Sequence, residues 1–116
     1  MHDDQVKSNL KGMDDLDFDG WNNGDWNGVF ADHHTRDVMV DWKGQPATHG
    51  IDEHIDAMKA YVQSVGGGKP PQITSHPIAF GSGEWTCAVG EFEGGGRMVT
   101  VAKWRDGAIA EEYIWS

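Results

Sequence analysis

The C-terminal 45 residues leave the chain few choices. From residue 72 they run as four β-prone segments, "QITSHPIAF", "EWTCAVGEFE", "RMVTVAKW" and "AIAEEYIWS". The breaks between them, built on "GSG", "GGG" and "RDG", are too short for anything but a reversal. Four strands so joined must pair with their neighbours as an antiparallel meander. A meander with one apolar face needs a cover, and the residues upstream must supply it.

They contain two helical regions and one further strand. "GIDEHIDAMKAYVQSV" places Ile51, Ile55, Met58, Val62 and Val65 on one stripe, with Asp52 and Glu53 in the first turn. "GGG" at 66–68 and the prolines at 70 and 71 stop it. Residues 14–32 carry Leu16, Trp21, Trp26 and Phe30 at rough helical spacing. Gly20 and "NNG" interrupt them, which predicts two short helices or one broken one. Between these regions "RDVMVDW" alternates: Val38, Val40 and Trp42 face one way, Asp37, Met39 and Asp41 the other. The opening "MHDDQVKSNLKGMDD" is acidic and polar, and residues 1–13 are expected to be a flexible lead-in to a single domain spanning 14–116.

The balance of residues narrows the functional classes. Nine basic side chains against nineteen acidic give a net charge of −10, which repels phosphate backbones and anionic membranes alike. No apolar run approaches the ~20 residues of a spanning helix, and the N-terminus lacks the apolar segment of a secretory signal. Cys87 is the lone cysteine, so neither an internal disulfide nor a cysteine-based zinc site can form. The expected location is the cytoplasm.

Four segments, in order and at the expected spacing, resemble a known family: "DLDFDGWNNGDWNGVFADHHTRDVMVDW", "THGIDEHIDAMKAYV", "GSGEWTCAVGEFEG" and "VTVAKWRDGAIAEEYIW". They are similar to SnoaL-like polyketide cyclase domains of the nuclear transport factor 2-like (NTF2-like) superfamily. The resemblance implies an α+β fold of the cystatin-like α+β barrel type: a cone-shaped, curved antiparallel sheet wrapped around N-terminal helices, enclosing one deep apolar pocket. It also implies a homodimer and no metal or organic cofactor. Relatives include cyclases, ketosteroid isomerases, epoxide hydrolases and dehydratases, besides domains that only bind ligands or proteins. Fold alone does not choose among them.

The adjacent His33 and His34 are the first candidates for chemistry. Neighbours on a helix point about 100° apart, so the pair does not converge on one ion. The spacing of five between His49 and His54 is equally poor, and no metal site is expected. The pair is expected to end a helix, with one member, His33 or His34, turned to the pocket. Asp41 matches the general base of the isomerases by resemblance, in "VDWKGQPATHG". An acid on a strand face over an apolar pocket is desolvated, which raises its pKa toward a useful range. The partners that the resemblance calls for are absent: the isomerases' first-helix tyrosine falls near Asp17 and Phe18, and the late-strand acid falls at Thr100. The preceding strand ends in "EFEGGG" where cyclases place a histidine. Glu91, on a face with Trp85, Cys87 and Val89, is the substitute acid, and Glu111 is another carboxyl of this kind; His76, just before Pro77, is expected to be satisfied within a turn, with a proton donor facing the pocket as the alternative.

The expected catalytic set is thus Asp41, His34 and Glu91. The expected ligand-binding set is Trp26, Phe30, Met39, Met58, Trp85, Thr100 and Tyr113. The function expected is acid/base catalysis without a cofactor on a small hydrophobic carbonyl or polycyclic molecule. The alternative is a non-catalytic ligand-binding or dimeric interaction domain.

Overall fold

The computed structural model describes residues 2–65 and 67–116. Helix α1 (His2–Asp14) runs without a break into a wide π-helical turn, Asp15–Trp21. A second π-helical turn, Trp26–Phe30, follows a four-residue break and is capped by Asp25, whose carboxylate accepts from the Val29 amide at 3.0 Å. Then come β1 (His34–Trp42), β2 (Thr48–His49), α2 (Ile51–Ser64), β3 (Ile73–Ser82), β4 (Trp85–Phe92), β5 (Arg97–Arg105) and β6 (Ala108–Trp115). The three expected hairpins all form. At the last, Asp106 and Gly107 both take positive φ (53° and 82°), the geometry that an Asp-Gly pair supplies most readily.

The six strands form one open sheet in the order β2-β1-β6-β5-β4-β3. The meander accounts for β3 to β6, and β1 adds to β6 in parallel, so the sheet is mixed. Helices α1 and α2 cover its inner face. There Val38 and Val40 of β1, Ala102 and Trp104 of β5 and Ile109 and Ile114 of β6 meet Met13, Leu16, Ile55 and Met58. This is the α+β cone architecture that the sequence implies, with the sheet left unclosed.

Two segments differ from expectation. The lead-in is helical: Met13 is 1% exposed and Gly12 lies against Trp104, where a Cβ would come within 3.0 Å of the indole. Helix α1 is therefore part of the core cover. In β6 the register slips between Lys103 and Trp104, with Lys103 opposite Glu111 and Trp104 opposite Ile109. The bulged Ala110 reverses the side-chain parity. Ile109 and Glu112 then both point inward, and Glu111 points out with Tyr113.

Candidate active site

Asn22 fixes the end of the π-helical turn to the sheet. Its side-chain amide donates to the Ile73 carbonyl and accepts from the Ile73 amide, both at 2.8 Å, as a neighbouring strand would. The Trp21 indole donates to the Pro71 carbonyl at 2.8 Å. These bonds hold Asp17, one turn earlier, over the inner face of the sheet.

There Asp17, His54, Thr100 and Glu112 line a small inner cavity walled by Leu16, Trp21, Phe30, Trp42, Met58 and others. Its volume is about 30 Å³, room for about one water. The expected deep pocket is therefore nearly filled, because Trp21, Phe30 and Met58 pack into the cone. A larger groove of about 660 Å³ runs between α2 and the β1–β2 connection. Trp42, His54 and Met58 belong to both and separate one from the other.

Two polar constellations meet at the cavity. In the first, His76 of β3 bridges two acids: its Nε2 lies 2.7 Å from Asp17 Oδ2 and its Nδ1 2.8 Å from Asp14 Oδ1. The imidazole is 5% exposed and stacks on Phe18, while Asp14 is 52% exposed. The three residues form a chain from solvent to cavity. Burial pushes the Asp17 carboxyl above the usual range, against the opposing pull of the His76 hydrogen bond and charge. Burial would lower His76, but the Asp17 and Asp14 carboxylates outweigh it and hold His76 above its ordinary value. The Asp17 carboxyl and the His76 imidazole thus each hold a proton more tightly than in water, across a 2.7 Å contact.

In the second, His34 of β1, His54 of α2 and Glu112 of β6 are all buried. His34 Nδ1 donates to the Phe30 carbonyl at 2.7 Å, and its Nε2 faces Glu112 Oε1 at 3.2 Å. His54 Nε2 stands 3.7 Å from the same oxygen, and its Nδ1 has no partner among the described residues. Burial pushes the His54 imidazole down to about 4. For Glu112 burial works against the charge, yet the His34 hydrogen bond and the two imidazoles prevail and hold the carboxyl below its ordinary range.

Of the expected catalytic residues, His34 alone reaches this region. Asp41 lies on the outer face of β1, 2.7 Å from Lys43 Nζ, because Val40 and Trp42 on either side take the inner face. Glu91 also faces out, bound by Arg97 at 3.0 Å and Ser75 at 3.1 Å. Of the expected ligand-binding residues, Phe30, Met58 and Thr100 line the inner cavity, and Trp26 stacks edge-on against Trp21 and Phe30 beside it. Met39, Trp85 and Tyr113 belong to the outer face: β4 turns Thr86 and Ala88 inward, so Trp85 points away.

Asp17, His54 and Glu112 were not among the expected site residues. For His54 the signal was present: it lies one turn before Met58 on the α2 stripe. His33, the other half of the pair, bonds the Val29 carbonyl at 2.8 Å and ends the helical segment as expected.

No protein-family model and no curated protein matches the sequence. Solved structures do. A provisionally named SnoaL-like polyketide cyclase from Jannaschia sp. CCS1 superposes with a TM-score of 0.79 at 15% identity, covering 94% of this chain and 85% of that one. An NTF2-like protein of unknown function from Burkholderia xenovorans LB400 gives 0.70 at 13%, covering 93% and 81%. A provisionally named ketosteroid isomerase from Kribbella flavida DSM 17836 gives 0.72 at 17%, covering 95% and 78%. At these identities the likeness is one of fold.

Proposed function

We propose, on the premise of the NTF2-like fold, that the protein is an acid/base enzyme in which Asp17 transfers a proton to or from an apolar, carbonyl-bearing substrate. The observation that carries the proposal is the Asp14–His76–Asp17 chain, which ends in the cavity on an acid displaced from its ordinary range. A proton given up at Asp17 is replaced by His76 from its Nε2, while its Nδ1 takes one from solvent beside exposed Asp14. Thr100 supplies a hydroxyl on the same wall; the 660 Å³ groove along α2 holds the apolar part of the substrate, and its carbonyl reaches Asp17 when Trp42 turns aside from the 30 Å³ inner cavity. The substrate enters from the groove along α2, past Trp42 and Met58. Structures named for cyclase and isomerase activity on this fold support proton-transfer chemistry of this kind.

The test is exchange of α-protons in deuterated water across a panel of apolar ketones, followed by NMR. Exchange with the wild-type protein that falls to background in Asp17→Asn supports the reading. An ordinary aspartate titration at Asp17, with no ketone exchanged, would sink it.

A separate observation favours self-association. Ile78, Phe80, Trp85 and Trp115 are exposed by 50, 60, 39 and 43% on the outer side of the sheet, opposite the cavity. We propose that this face pairs with a second copy, leaving each groove open.

A further inference from the structure

His54 is a buried imidazole whose hydrogen bonding is incomplete. Its Nε2, 3.7 Å from Glu112 and beyond hydrogen-bond reach, has a lone pair free for an ion when Nδ1, which has no partner among the described residues, carries the ring hydrogen. An unmatched polar group in the interior is costly. His34 presents a complementary arrangement. Its Nδ1 faces a carbonyl, which can only accept, so that nitrogen carries hydrogen; Nε2 hydrogen-bonds the Glu112 carboxylate in the metal-free protein, and a metal ion would take the place of the hydrogen between them. Two imidazole nitrogens thus converge on one carboxylate oxygen, in a place suited to a compact positive charge.

We infer that His34, His54 and Glu112 form a binding site for one divalent transition-metal ion of the zinc class, open on one side to the inner cavity. Two histidines and a carboxylate are a ligand set that such ions take, commonly with a fourth position left to water or substrate. One ligand atom from each residue lies within 4.8 Å of the others. Around zinc such atoms sit roughly 3.4 Å apart. The two contacts of Glu112 Oε1, at 3.2 and 3.7 Å, bracket that spacing. The Phe30 carbonyl holds the His34 ring as an outer hydrogen bond to a metal-bound histidine does. His54 and Glu112 line the inner cavity, which supplies the open fourth position. The ligands come from β1, α2 and β6, so spacing within one segment, His33 with His34 or His49 with His54, does not reveal them.

The site goes beyond proton transfer at Asp17, and its test needs no turnover. Protein stripped with a chelator is titrated with Co²⁺ and followed by visible absorption. One ion per chain is expected, with the bands of a nitrogen-ligated site, displaced by Zn²⁺ and unmoved by excess Mg²⁺. Glu112→Gln and His54→Gln should each weaken Co²⁺ binding by more than about 100-fold, beyond the loss of an outer hydrogen bond. His33→Ala should bind as wild type does. If Glu112→Gln fails to fold by circular dichroism, His54→Gln decides. The inference is overturned by the absence of a saturable band, by displacement with Mg²⁺, or by unchanged affinity in the folded variants. Any of these would leave Asp17 exchange chemistry standing, and a loss of exchange would leave metal binding standing.

Discussion

His76 Nε2 and Asp17 Oδ2 lie 2.7 Å apart and join β3 to the π-helical end of α1 inside the protein. The contact stabilises the fold as well as serving the proposed proton path, and its pH dependence separates it from ordinary packing. Burial alone would lower His76, but the Asp17 and Asp14 carboxylates keep it above 6.5. A histidine raised on folding contributes its full stability below the unfolded value and loses it as pH climbs through the folded one. His76→Gln should therefore cost about 1–3 kcal/mol near pH 6, and the gap from wild type should shrink as pH rises above 6.5 and through the raised folded value. Urea unfolding across that window measures it. A gap that stays constant would mean that His76 acts through shape alone.

Gly20 tests how closely the π-helical turn must pack. A Cβ there would lie 3.0 Å from the Phe30 backbone nitrogen, and backbone cannot swing aside as a side chain can. Gly20→Ala, which in an ordinary helix would be favourable, should here destabilise by about 1–3 kcal/mol. Thermal unfolding gives the sign directly. Gly44→Ala, at a turn glycine with no heavy atom within 4 Å but with φ of +92°, separates backbone strain from contact.

The strands, hairpins and α2 were legible because each is written locally, in alternation, in a helical stripe or in glycine-bearing turns. The resemblance also led to the right fold. The site was less legible, and β6 shows why. Counting by twos from Ile109 puts Glu111 inside, yet the bulge at Ala110 hands that place to Glu112. Asp41 failed for a related reason: the alternation of β1 was read correctly, but the helices lie on the side of Val38 and Val40. Which face of a strand is inner depends on the whole sheet. The polar N-terminus hid α1 because its buried contacts, Asn9 and Met13 among them, are too few to make a stripe.

Phe80 is the most exposed large apolar side chain of the outer face, at 60%. If two copies pair through that face, Phe80→Glu adds a charge to a chain already at −10 and leaves the inner core untouched. Sedimentation velocity should show a dimer for wild type and a monomer for the variant, with thermal stability of the isolated chain little changed. A wild-type monomer at high protein concentration rules the pairing out.

Trp42 stands between the groove and the inner cavity, packed at 5.3 Å against Tyr61, its indole donating to Ser116 Oγ at 3.0 Å. Both contacts lie near the surface, so the ring is held less firmly than Trp21, which is buried and bonded to the Pro71 carbonyl. Removing it joins the two spaces. Trp42→Ala should cost roughly 2 kcal/mol, below the figure for a fully buried tryptophan, because the ring is only half-buried. The same variant should bind an apolar naphthalene dye more tightly than wild type, and Met58→Phe added to it should reverse the gain by refilling the opening. If the dye binds both proteins equally, Trp42 does not bar the way to Asp17, and the substrate route must run through the opening beside Trp26 and Lys59 instead.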